Sequence, residues 1–406
     1  MFSLLKLALR NVLRHKGRTA LTLVSIVFGV AAVILSGGFI EDTIVKVGES
    51  MIHSHSGHIQ VSRQGYSTFG SQNPEKYLID RPEQLRQTLA GTPGVDDVLL
   101  RIGFSGLLGN GRSDWPIVGE GVEPEREARL GSYVTLAAGR QFRAGDKYVA
   151  MIGHGVARAL KLKPGDPVTL LVSTAGGAAN LLDLEVVGIF QTYSKDYDAR
   201  ALRIPLVAAQ ELLATEGAHV AVISLKQTAD TDRTAAALRA VLAADGLELN
   251  TWVELNEFYA QTVALYQQQF GFLMVIVLIM LQLGVSNTIN LGVFERVGEF
   301  GTMRAMGDRA KRLRALVICE GAVLGFIGGA VGVVVGATLA VAISAVGIPM
   351  PPPPNADLGY TSHILVVPGT IALAFLIGLA AAVLASILPA VRVSRMEIAE
   401  ALRQGV

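Results

Sequence analysis

The sequence predicts an α-helical membrane protein with four transmembrane helices and a large α+β extracytoplasmic domain inserted between helices 1 and 2. Three observations carry this. About half of the 406 residues are hydrophobic and the mean hydropathy is positive, and the apolar residues are gathered in blocks, which is a membrane protein's profile. Four blocks are long and nearly free of charge: residues 19–40, 270–294, 321–348 and 364–391. Each exceeds the roughly 20 residues a helix needs to cross about 30 Å of hydrocarbon with every backbone polar group satisfied internally. Finally, 229 residues of ordinary polarity lie between the first block and the second.

Taken in order, the chain opens on a basic stretch, residues 1–18, with five Lys/Arg and no acid. Block 19–40 follows. Its apolar part is longer than a secretory signal core of 7–15 residues, and no clear small-x-small cleavage site precedes Glu41 and Asp42, so an uncleaved first helix is expected.

The segment 41–269 reads as mixed α and β. HIQV, DDVLLRIGFSGLLG, WPIVGEGV, PVTLLVS, LEVVGIF and HVAVISL are runs rich in β-branched residues bounded by Gly, Pro, Asn and Asp. PEQLRQTLAG, GHGVARALKLKPGD and DRTAAALRAVLAADG have the pattern of short amphipathic helices ending near Gly. At its two ends, residues 41–56 and 252–269 can extend the flanking membrane helices outward as a stalk. The one cysteine, Cys319, falls outside this segment, so the domain holds no disulfide and depends on its own core.

After block 270–294 comes a charged stretch, 295–314, then apolar residues 315–348, a proline-rich loop 349–363, block 364–391 and a tail 392–406. Lys and Arg near helix ends are retained on the cytoplasmic side. Residues 1–18, 295–314 and 392–406 together carry fourteen Lys/Arg against five acids; residues 41–269 carry 21 against 27; and loop 349–363 carries no Lys or Arg. Both termini and segment 295–314 are therefore expected in the cytoplasm, with the inserted domain and the proline-rich loop outside. The IPMPPPP run reads as a stiff polyproline stretch of no assigned role.

Several chemistries find no support. There is no G-x-x-x-x-G-K-[ST] loop to cradle phosphates, no G-x-S-x-G elbow and no H-E-x-x-H helix. His53, His55 and His58 lack a carboxylate or cysteine pattern and read as solvated polar residues, not as a metal site. The expectation is a non-catalytic chain that binds no cofactor and no nucleic acid.

Segment ERVGEFGTMRAMGDRAKRLR has its own helical amphipathicity: Val297, Phe300, Met303 or Arg304, and Met306 recur at three- and four-residue spacing among Glu295, Arg296, Glu299 and Arg304, and Gly307 ends the run. A basic anchor on lipid headgroups accounts for DRAKRLR but not for Glu295 and Glu299; a helix offering apolar and charged side chains to a soluble partner accounts for both.

ERVGEFGTMRAMG resembles the E-R-x-x-E-[IF]-G-x-x-[RK]-A-[LM]-G signature of ABC-transporter permeases of the MacB/FtsX superfamily. LALRNVLRHKGRTALT and PAVRVSRMEIAEALR resemble that family's opening and closing segments, and the resemblance covers essentially the whole chain. It implies a bacterial inner-membrane permease that works with a cytoplasmic ABC ATPase dimer and a second permease copy or paralogue, the ATP and Mg being bound by the ATPase. Carried over, Glu295, Arg296, Glu299, Phe300, Met303 and Arg304 become coupling residues. A cytoplasmic amphipathic helix runs from Phe2 to Arg14, with Lys6, Arg10 and Arg14 opposite Phe2, Leu5, Leu9, Val12 and Leu13.

Within the superfamily the domain opening near GHIQVSRQGY is most similar to the lipoprotein-releasing LolC/LolE type, which implies extraction of lipoproteins or lipids and transfer to a periplasmic carrier. A drug or peptide exporter subunit and an FtsX-like regulator of a cell-wall hydrolase are the alternatives. Apart from Glu320 at an inner edge, the spans hold no ionisable residue to mark a polar path, so a lipid-anchored substrate is expected to enter sideways. Phe39, Ile40, Ile44, Phe258, Tyr259, Val263, Leu265, Tyr266 and Phe270 offer an apolar receiving surface, or simply stalk packing. Gly321, Gly325 and Gly329, and Gly328, Gly332 and Gly336, form two rows for close helix approach, within one chain or between two.

Overall fold

The computed structural model describes residues 2–14, 16–70, 74–131, 134–173, 178–192, 194–242, 245–351 and 359–395. Most of the tail 392–406, and residues 352–354 of the proline run, lie outside these. The chain divides into two compact units: residues 1–45, 262–350 and 361–406 form the first, and residues 46–261 with 351–360 the second.

The first unit is helical. Its elements are α1 (Phe2–Arg14), all but the last residues of α2 (Lys16–Met51) and all but the first of α3 (Glu257–Glu295), and α4 (Val297–Ala305), α5 (Ala310–Val346) and α6 (Pro368–Arg395); residues 46–51 and 257–261 belong to the second unit. Helices α2, α3, α5 and α6 are each long and apolar enough to cross a membrane. They outrun the hydropathy blocks because a helix continues past its apolar part as long as nothing interrupts its hydrogen bonds. The expected helix over 295–314 is correspondingly shorter: Lys311, Arg312 and Arg314 open α5, and only Val297–Ala305 forms the separate short helix. Gly307 divides the two. It adopts φ +100°, and Gly307 N–H and Asp308 N–H return to the carbonyls of Arg304 and Met303 at 3.0 and 3.1 Å, which closes the helix end in a conformation that favours glycine.

Both glycine rows of α5 are used within the chain. A Cβ on Gly321, Gly325 or Gly329 would lie within 2.7–3.0 Å of Ser386, Ala382 or Phe375 on α6. One on Gly328, Gly332 or Gly336 would lie 2.8–3.0 Å from Ile26, Val30 or Ile34 on α2. Removing every Cβ along two stripes lets α5 sit against both neighbours at backbone distance. At the far end of α2, buried Asp42 accepts hydrogen bonds from Ser362 Oγ at 2.9 Å and His363 N–H at 2.8 Å, anchoring the segment that leads into α6.

Among the described residues the second unit is built on ten strands: β1 (Ile59–Arg63), β2 (Val95–Gly109), β3 (Asp114–Val122), β4 (Thr135–Gly139), β5 (Val149–Gly153), β6 (Pro167–Ser173), β7 (Ala179–Gln191), β8 (Ala201–Pro205), β9 (Val220–Leu225) and β10 (Leu247–Thr251). Their order is β10-β1-β9-β2-β3-β8-β5-β7-β4, and β6 bridges β2 and β7. The path β2-β3-β8-β5-β7-β6 therefore returns to β2, closing six strands into a ring. Alternation along the strands fills its interior: Ile102, Phe104 and Leu108 of β2 join Leu170, Val186 and Leu202 in one cluster. Each such fully buried side chain contributes about 1.5–3 kcal/mol. The expected helices over 82–91, 153–166 and 232–246 are present as Pro82–Ala90, His154–Leu160 and Thr231–Leu242.

His58 and His219 are buried, and each already accepts a backbone N–H on its ring: Leu225 N–H donates to His58 Nδ1 at 3.2 Å and Gly103 N–H to His219 Nδ1 at 3.0 Å. Burial, helped at His58 by neighbouring His53, pushes both pKa values down to about 4. The unfolded chain takes up these protons near pH 6.5 and the folded chain does not. Stability is thus full above pH 6.5 and falls as the pH drops towards 4, by about 3 kcal/mol per histidine at most. Hydrogen exchange of β9 in the full chain, compared at pH 7 and pH 5 after correction for intrinsic rates, should show the loss; His219→Gln should remove about half of it, the His58 share remaining.

Candidate functional site

The short helix α4 and the turn before it form a connected polar site of the membrane unit. Arg296 stands at the N-terminal cap of α4, only 7% exposed. Its Nε donates to Glu299 Oε2 at 2.9 Å, and its Nη1 reaches both oxygens of Glu320 on α5 at 3.2 and 3.0 Å. Asn11 Nδ2 of α1 donates to the same Glu320 at 2.7 Å. Glu299 also faces Arg14 of α1 at 3.5 Å. One carboxylate thus ties three helices together. Burial works against the charge on Arg296, but Glu320 and Glu299 outweigh it and hold the guanidinium above its ordinary pKa. A cavity of about 40 Å³ lies beside the pair, with Thr19, Thr22 and Thr288 on its walls.

Beneath Arg296 lies Phe300, 2% exposed, with the guanidinium 5.0 Å from its ring centre. It packs with Ala8, Val293, Leu313, Leu316 and Val393 into one apolar cluster. Of the expected coupling residues, then, Glu295 and Glu299 are exposed, Met303 and Arg304 are half-buried, and Arg296 and Phe300 face the chain's own interior. Arg304 Nη1 donates to the Ser394 carbonyl at 3.2 Å. The apolar face of α4 is turned inward, because its Val297 and Phe300 complete a core shared with α1, α5 and α6; Met306, 77% exposed, is the large apolar side chain left outside. Sequence patterning singles out neither Asn11 nor the Arg296–Glu320 pair. The signal that points to Glu320 is that it is the one ionisable residue associated with an otherwise uncharged span.

The expected receiving surface is placed as follows. Phe39, Ile40, Ile44, Val263, Tyr266 and Phe270 are half-buried and Leu265 is exposed. The Phe270 ring lies 3.1 Å from where a Gly37 side chain would begin, so it packs against α2. In the other unit, Tyr259 lies against Trp252 with ring centres 4.5 Å apart. The side chain of Phe258 lies outside the described residues. The three histidines take separate partners: His53 contacts Glu49 and the Leu130 carbonyl, His55 contacts Glu120, and His58 contacts Thr228. Among the described residues no group of three His, Cys, Asp or Glu is placed to hold a metal ion.

Comparison with known proteins settles the family. The MacB-like periplasmic core domain profile matches residues 19–241, more than half the chain, and the FtsX-like permease C-terminal profile matches residues 271–398. The chain belongs to the MacB/FtsX superfamily of ABC-transporter permeases. Similar proteins include an uncharacterized ABC transporter permease of Methanocaldococcus jannaschii, 24% identical over 83% of this permease and 84% of that protein. The lipoprotein-releasing system transmembrane protein LolC of Neisseria meningitidis is 24% identical over 80% of each chain. Its counterpart LolE of Haemophilus influenzae is 23% identical over 66% of each. Among solved structures, the periplasmic region of MacB from Actinobacillus actinomycetemcomitans aligns at a TM-score of 0.38 and 14% identity, covering 52% of this permease and 95% of that chain. This MacB/FtsX permease is accordingly a multi-pass membrane protein of LolC/LolE-like type.

Proposed function

We propose that this permease relays ATP hydrolysis by a separate cytoplasmic ATPase to its outer domain, and that a pair of such subunits extracts lipoproteins or lipids from the inner membrane for a periplasmic carrier. The observation that carries the relay is the buried tie Arg296–Glu320–Asn11. A force applied to α4 by a docked ATPase is delivered at once to α5 and α1 through charged hydrogen bonds, which are short and strong out of water. In this scheme Glu295, Glu299 and Met306 meet the ATPase, while Arg296 and Phe300 act behind them as positioning residues. Met303 and Arg304 belong to both layers. Charge supports the orientation: the segment carrying α4 and both terminal segments are basic, and the inserted domain is acidic. Substrate class rests on the similarity to LolC and LolE, and on spans without an ionisable path.

Gly301→Pro is the decisive variant. Gly301 is buried in the middle of α4, where proline removes a hydrogen bond and clashes with the preceding turn at a cost of about 3 kcal/mol. Stimulated ATP hydrolysis in nanodiscs should be lost while the chain still inserts and folds. Normal stimulation, in this variant and in Glu299→Arg, would rule α4 out as the docking element.

A further inference from the structure

Helix α2 does not end like an ordinary helix. Its last turn, Ile52–Ser56, widens to π-helical geometry, closed by Gly57 N–H on the Ile52 carbonyl at 2.9 Å with Gly57 at φ +64°. Such a turn leaves C-terminal carbonyls without partners in the helix, at the negative end of its dipole. Two buried arginines of the ring take them. Arg101 of β2 donates from Nη1 to the His55 carbonyl, and Arg203 of β8 from Nη2 to the Ser54 carbonyl at 2.7 Å.

Both arginines are held in turn. Arg101 grips Glu127 through Nη2 at 2.8 and 3.0 Å and through Nε at 3.2 Å. Arg203 reaches Glu127 at 3.4 Å and Glu120 of β3 at 3.5 Å, and His55 approaches Glu120 at 3.4 Å. Burial opposes the charge on Glu120, but His55, Arg101 and Arg203 outweigh it and keep the carboxylate well below its usual range. Strands β2, β3 and β8 are neighbours in the sheet, so the cluster spans three consecutive strands. A second attachment lies one turn back on α2, where Thr228 Oγ1 donates to Glu49 at 2.7 Å.

We infer that Arg101 and Arg203 are positioning residues that weld the end of the first stalk helix to the ring through main-chain carbonyls, so that the helix end and the ring move as one body. The reading rests on the relay under Proposed function and supplies its outer terminus. Main-chain oxygens suit a mechanical joint, because they are fixed by the helix itself and cannot swing away as a side chain can. Four charged groups in one buried cluster serve no core-building purpose that apolar side chains would not serve as well, but they do allow a cation to be aimed at a carbonyl inside the domain.

The weld is tested on the full chain in nanodiscs, without nucleotide or ATPase. In a Cys319→Ser background, spin labels within the second unit, at half-buried Val47→Cys on α2 and exposed Leu181→Cys on β7, report one distance by pulsed electron resonance. The unaltered cluster should give a single narrow distribution. Arg101→Lys with Arg203→Lys keeps both charges but loses the fork that serves a carboxylate and a carbonyl together, and should broaden or split it. Protected amides of β5 and β7 show that the ring remains folded; if they are lost in the double variant, Arg203→Lys alone gives the reading. Ser54→Ala, which leaves the carbonyl in place, should stay as narrow as the parent. An unchanged width in the arginine variants, or equal broadening in Ser54→Ala, overturns the weld. Normal ATPase stimulation by the broadened variants, measured separately with the ATPase present, would count against the relay instead.

Discussion

Replacing Arg296 by Met is expected to lower the stability of the membrane unit by about 3–5 kcal/mol, the typical cost of leaving one member of a buried ion pair without the other. Among the described residues Glu320 would keep the amide of Asn11, beside a cavity walled by α1, α2, α3 and α5. The double variant Arg296→Met with Glu320→Leu should recover most of the loss, because a well-packed apolar pair replaces a buried ionic one at little cost. Unfolding in mild detergent, followed by reactivity of Cys319 beside Glu320, gives the comparison. The double variant should regain stability without regaining stimulated ATP hydrolysis, since apolar contact restores packing but not a directional tie. Equal instability of single and double variants would show that the pair is not what holds α4 in place.

Gly332→Leu should be at least as damaging. Its first side-chain atom alone would stand 2.8 Å from Val30 Cβ and 3.2 Å from the Val27 backbone, so α2 and α5 must part along their shared face. Overpacking in a tight core costs about 1–3 kcal/mol even when neighbours adjust, and here a backbone must move. Gly271→Leu, on α3 with nothing within 4 Å of its new Cβ, is the matched control. The first variant should lose its folded population on extraction into detergent while the second is recovered normally. Comparable recovery of both would mean that the α2–α5 contact is looser than the glycine row indicates.

The membrane helices were legible in the sequence because each satisfies its own backbone, and hydropathy alone marks such a segment. Strands with alternating β-branched residues, such as Pro167–Ser173, were equally plain. Others were not: Thr135–Gly139 reads TLAAG, Ala201–Pro205 is buried along its whole length, and Leu247–Thr251 is mostly polar. None has a two-residue period long enough to show. Ring closure depends on pairing Gly106–Gly109 with Thr169–Val172, some sixty residues apart, a distance over which local pattern carries nothing. At the candidate site, the amphipathic period of α4 was visible but the side it turns inward was not. That side is decided by the apolar cluster that Phe300 completes with Ala8, Leu313 and Val393, residues that lie far apart in the chain.

The closed ring also bears on what two copies do when they stand side by side in one bilayer, at the high effective concentration that a shared surface imposes. A long free strand is a template on which a neighbour's strand adds, and sheets that stick in this way do not come apart on demand. Among the described residues the sheet ends only at β4 and β10, each five residues long. The register of β4 is broken by an irregularity between Leu136 and Ala138, and Arg239, from the helix over Thr231–Leu242, reaches the Leu249 carbonyl of β10. Neither end offers a run on which a second sheet could zip. In the proposed pair of subunits, domains built this way would meet and separate without fusing through their sheet ends.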